Sequence, residues 1–276
     1  MQGYVLITGA TGGLGRAFAI ECASRGWNLF LTDLSEQALL ALSTGIQRMY
    51  GVTTRYCPCD LTDAEARKSL WQRITQLGLS FHGLINVAGL DHEGRFFERR
   101  IDDLQTILRV NIEATVEMTW RALQFREPGE TFRIITVSSL AAFYPMPVKA
   151  VYAASKRFLL DWSLALRHEL RDSDASVTVL CPAGMRTNKA CIQAIAAQGF
   201  MGQITTLDVG VIAARTLDSA LAGRAVYIPG IVNQIMRVLS SFFPTALVTE
   251  VIGNRWDKNT PYHGHTGGVR WTAAKS

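Results

Sequence analysis

An apolar run, Tyr4-Val5-Leu6-Ile7, leads straight into Thr8-Gly9-Ala10-Thr11-Gly12-Gly13-Leu14-Gly15. The run has the length and composition of a buried strand. Beyond the glycines, Arg16 to Arg25 carries apolar residues at Ala17, Phe18, Ile20 and Ala23, the pattern of a helix packed on a sheet. Strand, glycine turn and helix in that order aim backbone N–H groups and a positive helix end at one point, which suits a phosphate. Glycine is needed where such a turn takes positive φ and where a side chain would block a pyrophosphate. Taken alone, the turn could be structural. The remainder of the chain decides its meaning.

Short apolar runs alternate with helical patterns along most of the chain. Strands are expected at 4–7, 29–32, 53–57, 83–87, 132–137, 176–180 and 225–228, and helices at 35–49, 63–76, 101–125, 151–171 and 208–222. This alternation implies α/β architecture: a single Rossmann-type doubly wound parallel sheet of about seven strands with helices on both faces. A sheet of that kind binds ligands at the carboxyl ends of its strands. No repeat or break in composition marks a second domain. Residues 1–230 therefore read as one dinucleotide-binding and catalytic domain, and 231–276 as a C-terminal helical extension of it. Within that extension, 231–252 reads as two short apolar-faced helices interrupted by Pro244, a lid or subunit contact, and the polar end from Gly253 as a mobile tail.

Tyr152 and Lys156 stand four residues apart in Tyr-Ala-Ala-Ser-Lys, on one face of the helix expected at 151–171. A nearby ammonium favours the ionised form of a phenol, whose ordinary pKa is about 10. The pair is thus a candidate proton-exchange group, though by itself the spacing also describes an ordinary helix surface. The same helix carries Phe158, Leu159, Leu160, Trp162, Leu164, Leu166 and Leu170, more apolar residues than one buried stripe requires. A symmetric subunit contact would cover the excess, and a homodimer or homotetramer is expected.

With these motifs in hand, the sequence resembles the short-chain dehydrogenase/reductase family over roughly residues 3 to 230. The loop from Thr8 to Gly15 matches that family's Thr-Gly-x-x-x-Gly-x-Gly cofactor turn, and Asn86-Val87-Ala88-Gly89 resembles its Asn-Asn-Ala-Gly segment after the fourth strand. The resemblance implies a catalytic set of Asn111, Ser139, Tyr152 and Lys156. Ser139 is preferred to Ser138 because it lies 13 residues before Tyr152. In the implied mechanism a hydride passes between the nicotinamide and the carbon bearing the substrate oxygen. Tyr152 exchanges the proton, Lys156 lowers its pKa and holds the nicotinamide ribose, Ser139 binds the substrate oxygen, and Asn111 holds a water that relays protons from Lys156. Implied cofactor contacts are Gly9, Thr11, Gly13, Leu14, Gly15, Asp33, Asp60, Leu61, Asn86, Ala88, Gly89, Tyr152, Lys156, Pro182 and Thr187. Val87 departs from the family's second Asn, and Pro182-Ala183-Gly184-Met185-Arg186-Thr187 departs from its Pro-Gly-x-x-x-Thr while keeping the Pro-to-Thr spacing.

Asp33 closes the second apolar run, Leu29-Phe30-Leu31-Thr32. An acid there accepts hydrogen bonds from adenosine ribose hydroxyls and repels a 2′-phosphate, so NAD is the expected cofactor. The segment 188–202 contains Ile192, Ile195, Phe200 and Met201, and the loop 90–100 contains Phe96 and Phe97. Both suggest a small apolar alcohol or ketone, bulky in shape, with a hydroxysteroid as one candidate and a medium-chain acyl or alkyl ketone as another. Two other readings stand beside these: a non-catalytic sensor of NAD redox state, and an epimerase or dehydratase of nucleotide sugars.

Composition narrows the partners. A net charge of +5, scattered along the chain, gives no patch for nucleic acid, and the basic residues around 231–252 are too few for strong contact with a membrane surface. Cys57-Pro58-Cys59 has no second Cys or His pair at ligand spacing, so no metal is expected. The first strand starts within a few residues of Met1 and no stretch reaches about 18 apolar residues, from which a cytoplasmic location is expected.

Overall fold

The computed structural model describes residues 3–185 and 207–257. Seven strands form one parallel sheet in the order β3-β2-β1-β4-β5-β6-β7. They are β1 (Tyr4–Thr8), β2 (Asn28–Asp33), β3 (Thr54–Pro58), β4 (Phe81–Asn86), β5 (Phe132–Val137), β6 (Ala175–Leu180) and β7 (Val226–Tyr227). The helices between them are α1 (Gly13–Ser24), α2 (Glu36–Tyr50), α3 (Ala64–Gln76), α4 (Ile101–Leu108), α5 (Thr115–Ala122), α6 (Ala150–Glu169) and α7 (Val209–Leu221), with α8 (Ile231–Ser240) and α9 (Thr245–Asp257) after β7. Among the described residues, no helix is long and apolar enough to cross a membrane.

Burial on two faces explains why the strands are apolar without alternation. Val5 and Ile7 of β1 pack with Phe18 of α1 and Ile212 of α7, whereas Leu6 between them packs on the other face with Leu70 of α3 and Met118 of α5. Each fully buried Leu, Ile or Phe contributes about 1.5–3 kcal/mol relative to exposure, so the register of β1 is fixed from both sides. The strand order reverses between β1 and β4, both of which pair with each other and with an outer neighbour. The loops leaving these two strands diverge, and that opens the crevice.

One expected element is broken. The helix foreseen over 101–125 is α4, then a π-helical turn at Arg109–Ala114, then α5 and a short 3₁₀ turn at Leu123–Phe125. Hydrophobic period cannot register the single extra residue of a π turn, which rotates the following face by a fraction of a turn. At the other end, α8 and α9 meet at Pro244 as expected, but α9 continues through Gly253 to Asp257, so the polar end does not begin at Gly253. Phe158, with Trp162 stacked on it, and Leu164 stay exposed or half-buried on α6, which is the surplus apolar face seen in the sequence.

Candidate active site

The glycine turn is held by contacts that tolerate no side chain at two positions. Gly9 has φ 62°, and a Cβ there would lie 2.9 Å from the backbone of Ala88. A Cβ on Gly15 would collide with the Gly9 carbonyl, its carbon only 2.8 Å away and its oxygen closer still. Across the crevice Thr8 Oγ1 accepts hydrogen bonds from the N–H groups of Val87 (3.1 Å) and Ala88 (3.2 Å), which ties the end of β1 to the loop leaving β4. The first turn of α1 carries no acidic side chain, so its positive end is left to an external anion.

Two carboxylates stand further along the crevice. Asp33 Oδ2 accepts from Thr11 N (2.8 Å) and Thr11 Oγ1 (2.6 Å), while its Oδ1 accepts from Leu34 N (2.7 Å). Asp60 Oδ1 accepts from Thr62 N and Oγ1 at 2.8 and 2.7 Å. Each is therefore fixed by its own loop with lone pairs remaining for a ligand. A cleft of about 790 Å³ runs from the glycine turn past Asp33, Asp60 and Leu61 to Ala88, Gly89 and Pro182, and on to Ser139, Tyr152 and Lys156. Gly9, Thr11, Gly13, Leu14 and Gly15 all line it. A backbone cradle at a helix N-terminus and a carboxylate at the end of β2 fit a dinucleotide of the nicotinamide type.

One expected cofactor contact differs, and another cannot be placed. Asn86 is buried and turned away from the cleft: its Nδ2 donates to Thr119 Oγ1 on α5 at 2.9 Å. Its place is in fastening the end of β4 to α5, with its Oδ1 left buried and unpaired. Thr187, like 188–202, lies outside the described residues.

At the far end Tyr152 and Lys156 lie on α6, and Ser139 follows β5. Ser139 Oγ accepts from Ala141 N at 3.1 Å and lines the cleft beside Tyr152. Ser138 is buried and donates to the Lys156 carbonyl at 2.7 Å, so it anchors α6 from behind. Lys156 Nζ donates to the Val137 carbonyl at 3.0 Å and lies 5.8 Å from the centroid of the Tyr152 ring. Asn111, in the π-helical turn, is wholly buried. Its Oδ1 accepts from Leu90 N (2.8 Å), and its Nδ2 donates to Leu90 O (3.1 Å) and Ser155 Oγ (2.9 Å). A Cβ on Gly89 would sit 3.0 Å from Lys156 Nζ and 3.3 Å from Asn111 Oδ1, so the ammonium and the amide converge on that glycine. Asn111 thus binds backbone and Ser155 rather than facing the cleft.

Electrostatics corrects one expectation. The Tyr152 phenol is pushed up to about 12, first by burial, then by the negative charge of Asp91, with the neighbouring Ser139 hydroxyl opposing. Burial lowers Lys156 to about 8, with Asp91 opposing. Desolvation favours the neutral form of both groups, so in the chain without a bound cofactor burial sets the direction of both shifts. Sequence reading also missed Ser155, which stands within the Tyr-Ala-Ala-Ser-Lys run itself, and Lys149, whose Nζ lies 5.8 Å from the Tyr152 ring centroid and pairs with Asp91 at 2.6 Å. The helical offset of three from Tyr152 to Lys149 was the available signal.

A family model described as short chain dehydrogenase matches residues 3–193, which takes in the glycine turn, the sheet through β6 and the Ser139–Tyr152–Lys156 group. The chain belongs to the short-chain dehydrogenase family. Among curated members of this family, 17-beta-hydroxysteroid dehydrogenase type 3 of Homo sapiens is 30% identical over 189 residues, covering 68% of this chain and 60% of that protein. The very-long-chain 3-oxoacyl-CoA reductase of Phaeosphaeria nodorum is 34% identical over 177 residues, covering 60% of this chain and 50% of that protein. The chain thus spans about half to three-fifths of the length of these relatives. A solved structure concerned with 7beta-hydroxysteroid dehydrogenase stereoselectivity superposes with a TM-score of 0.79 at 21% identity, covering 91% of this chain and 96% of its own. A short-chain dehydrogenase from Sphingobium yanoikuyae in complex with NADPH superposes with a TM-score of 0.72 at 23% identity, covering 98% of this chain and all of its own. At these identities the structural likeness speaks for the fold.

Proposed function

We propose that this protein is an NAD(H)-dependent oxidoreductase that interconverts a secondary alcohol and a ketone on a bulky apolar substrate, a hydroxysteroid being one concrete candidate. The observation that carries this reading is the meeting of Ser139, Tyr152 and Lys156 at one end of the cleft that begins at the glycine turn. The bound nicotinamide would supply or accept the hydride. The chain's own part is to orient the substrate oxygen through Ser139 and Tyr152 and to move one proton at the Tyr152 hydroxyl. Lys156, buried and held by Val137, would bind the ribose, with Asn111 and Ser155 fixing the loop that passes it. The exposed and half-buried apolar face of α6 supports a homo-oligomer. The human and fungal relatives are named for a hydroxysteroid and for a very-long-chain 3-oxoacyl-CoA, the first carrying an alcohol to oxidise and the second a ketone to reduce.

The pH dependence derives from the phenol. Reduction needs the protonated phenol and oxidation its phenolate. Since burial raises Tyr152 above its ordinary value, the proton is held through neutral pH. Alcohol oxidation should rise steadily between pH 6 and 9, by up to about tenfold per unit, while reduction stays flat. Initial rates followed by NADH absorbance measure this. An oxidation rate that levels off below pH 7 would contradict the assignment of Tyr152 as the base.

Cofactor choice rests on Asp33. Its carboxylate, locked by Thr11 and Leu34, faces the cleft where a 2′-phosphate would bring a second negative charge. A hydrogen bond to a charged group contributes about 1.5–3 kcal/mol, so Asp33→Ala should narrow the NADH-over-NADPH ratio of kcat/KM by about tenfold or more. A lower Michaelis constant for NADPH in the unaltered protein would reverse the assignment.

A further inference from the structure

Tyr152 belongs to two cavities. One is the cofactor cleft. The other, about 560 Å³, opens on its far side between the loop after β4 and the segment preceding α6. Its walls are mainly apolar, with Phe96, Phe97, Leu104, Ile107, Pro147 and Val151 among them, as a bulky ketone requires. Three cations also line it: Arg95, Arg99 and Lys149.

Their situations differ. Lys149 is neutralised locally, with Asp91 at 2.6 Å and Glu93 at 3.4 Å. Arg100, which adjoins Arg99 in the chain, is exposed and pairs with Asp102 at 3.0 Å. Arg99 is half-buried, and its guanidinium folds back against Gly94, whose Cβ position would lie 2.8 Å from Nη2. No acidic side chain among the described residues pairs with it, although Glu98 is its neighbour and lines the same cavity. A half-buried arginine that meets no acid in a largely apolar wall leaves its N–H donors available to a ligand. Its planar fork suits a carboxylate or phosphate better than any neutral group.

We propose that the substrate carries an anionic oxygen group, carboxylate or phosphate, remote from the reacting carbon, and that Arg99 binds it. This rests on the oxidoreductase reading for the position of the carbonyl, and it narrows the substrate from any bulky ketone to an anionic amphiphile. The apolar walls hold the skeleton, Ser139 and Tyr152 hold the ketone oxygen, and Arg99 fixes which end of the molecule faces out. Specificity then comes from both ends at once.

The test uses two matched pairs of probes. One is a steroid ketone with a side-chain carboxylate against its methyl ester. The other is a 3-oxoacyl-CoA against the N-acetylcysteamine thioester of the same acyl chain. For at least one pair the charged member should show a kcat/KM at least tenfold higher, and which pair does so distinguishes carboxylate from phosphate. Arg99→Gln should collapse that ratio toward one, while Arg99→Lys should keep part of it. Equal kcat/KM within both pairs, or a ratio that survives in Arg99→Gln, would overturn the proposal. Calorimetric binding of the same pairs to the Tyr152→Phe variant reads the charge preference without turnover. If neither member of a pair is turned over yet the charged member binds tenfold tighter through Arg99, the redox reading fails and the anion site stands.

Discussion

Tyr152→Phe should lower kcat by about a thousandfold, within the 10²–10⁴ range of general acid–base groups, and leave the dissociation constant for NADH within about threefold. The asymmetry reflects what the change removes. The ring is packed on α6 with ammonium groups 5.8 Å from its centroid at both Lys149 and Lys156, and phenylalanine keeps that ring. Only the hydroxyl goes, and with it the exchangeable proton. A thousandfold loss corresponds to about 4 kcal/mol of transition-state stabilisation. Steady-state rates against a steroid ketone, paired with NADH fluorescence titration, separate chemistry from binding. Activity within tenfold of the unaltered protein would mean that the proton comes from elsewhere. A sensor of NAD redox state, the rival reading, would lose no biological effect in this variant.

Much of the architecture was legible because two-sided burial writes itself into composition. The β5 segment was foreseen residue for residue as Phe132–Val137, and the other strands differ by one or two residues at their ends. Asp33 and the glycine turn were legible because turn geometry and electrostatics both restrict residue type. Three features were not. The π turn at Arg109–Ala114 leaves no mark in a hydrophobic pattern, so Asn111 could be placed on a helix but not aimed. Asn86 could not be told from a ligand-facing residue, because its partner Thr119 lies 33 positions away. The phenol pKa was misjudged because helical spacing reveals a neighbouring charge but not burial, and burial dominates. A local pattern fixes neighbours along a helix; solvent access depends on the whole fold.

Gly15→Ala should destabilise the folded protein by about 3 kcal/mol or more and weaken NADH binding at least tenfold, whereas Gly12→Ala should cost less than about 1 kcal/mol. The contrast isolates packing, since alanine is the better helix former at Gly15 inside α1, while at Gly12, the N-cap of that helix, it is the poorer residue and yet should cost less. At Gly15 the added carbon would overlap the Gly9 carbonyl oxygen and lie 2.9 Å from the Cα of Ala10, all of it backbone that cannot rotate away. At Gly12 the nearest atom, again the Gly9 oxygen, is 3.4 Å away, an ordinary contact. Relief at Gly15 requires the turn to move away from α1, but Gly9 is already seated against Ala88, and Thr8 ties the same turn to the loop after β4. The displacement therefore carries into the wall that holds Gly89 and, through it, Lys156. For a chain of this size about 3 kcal/mol corresponds to a fall in Tm of roughly 6–12 °C, which calorimetry resolves. Equal stability of the two variants would show that the turn yields freely, and the close packing of Gly15 on Gly9 would then not be what holds the phosphate cradle in shape.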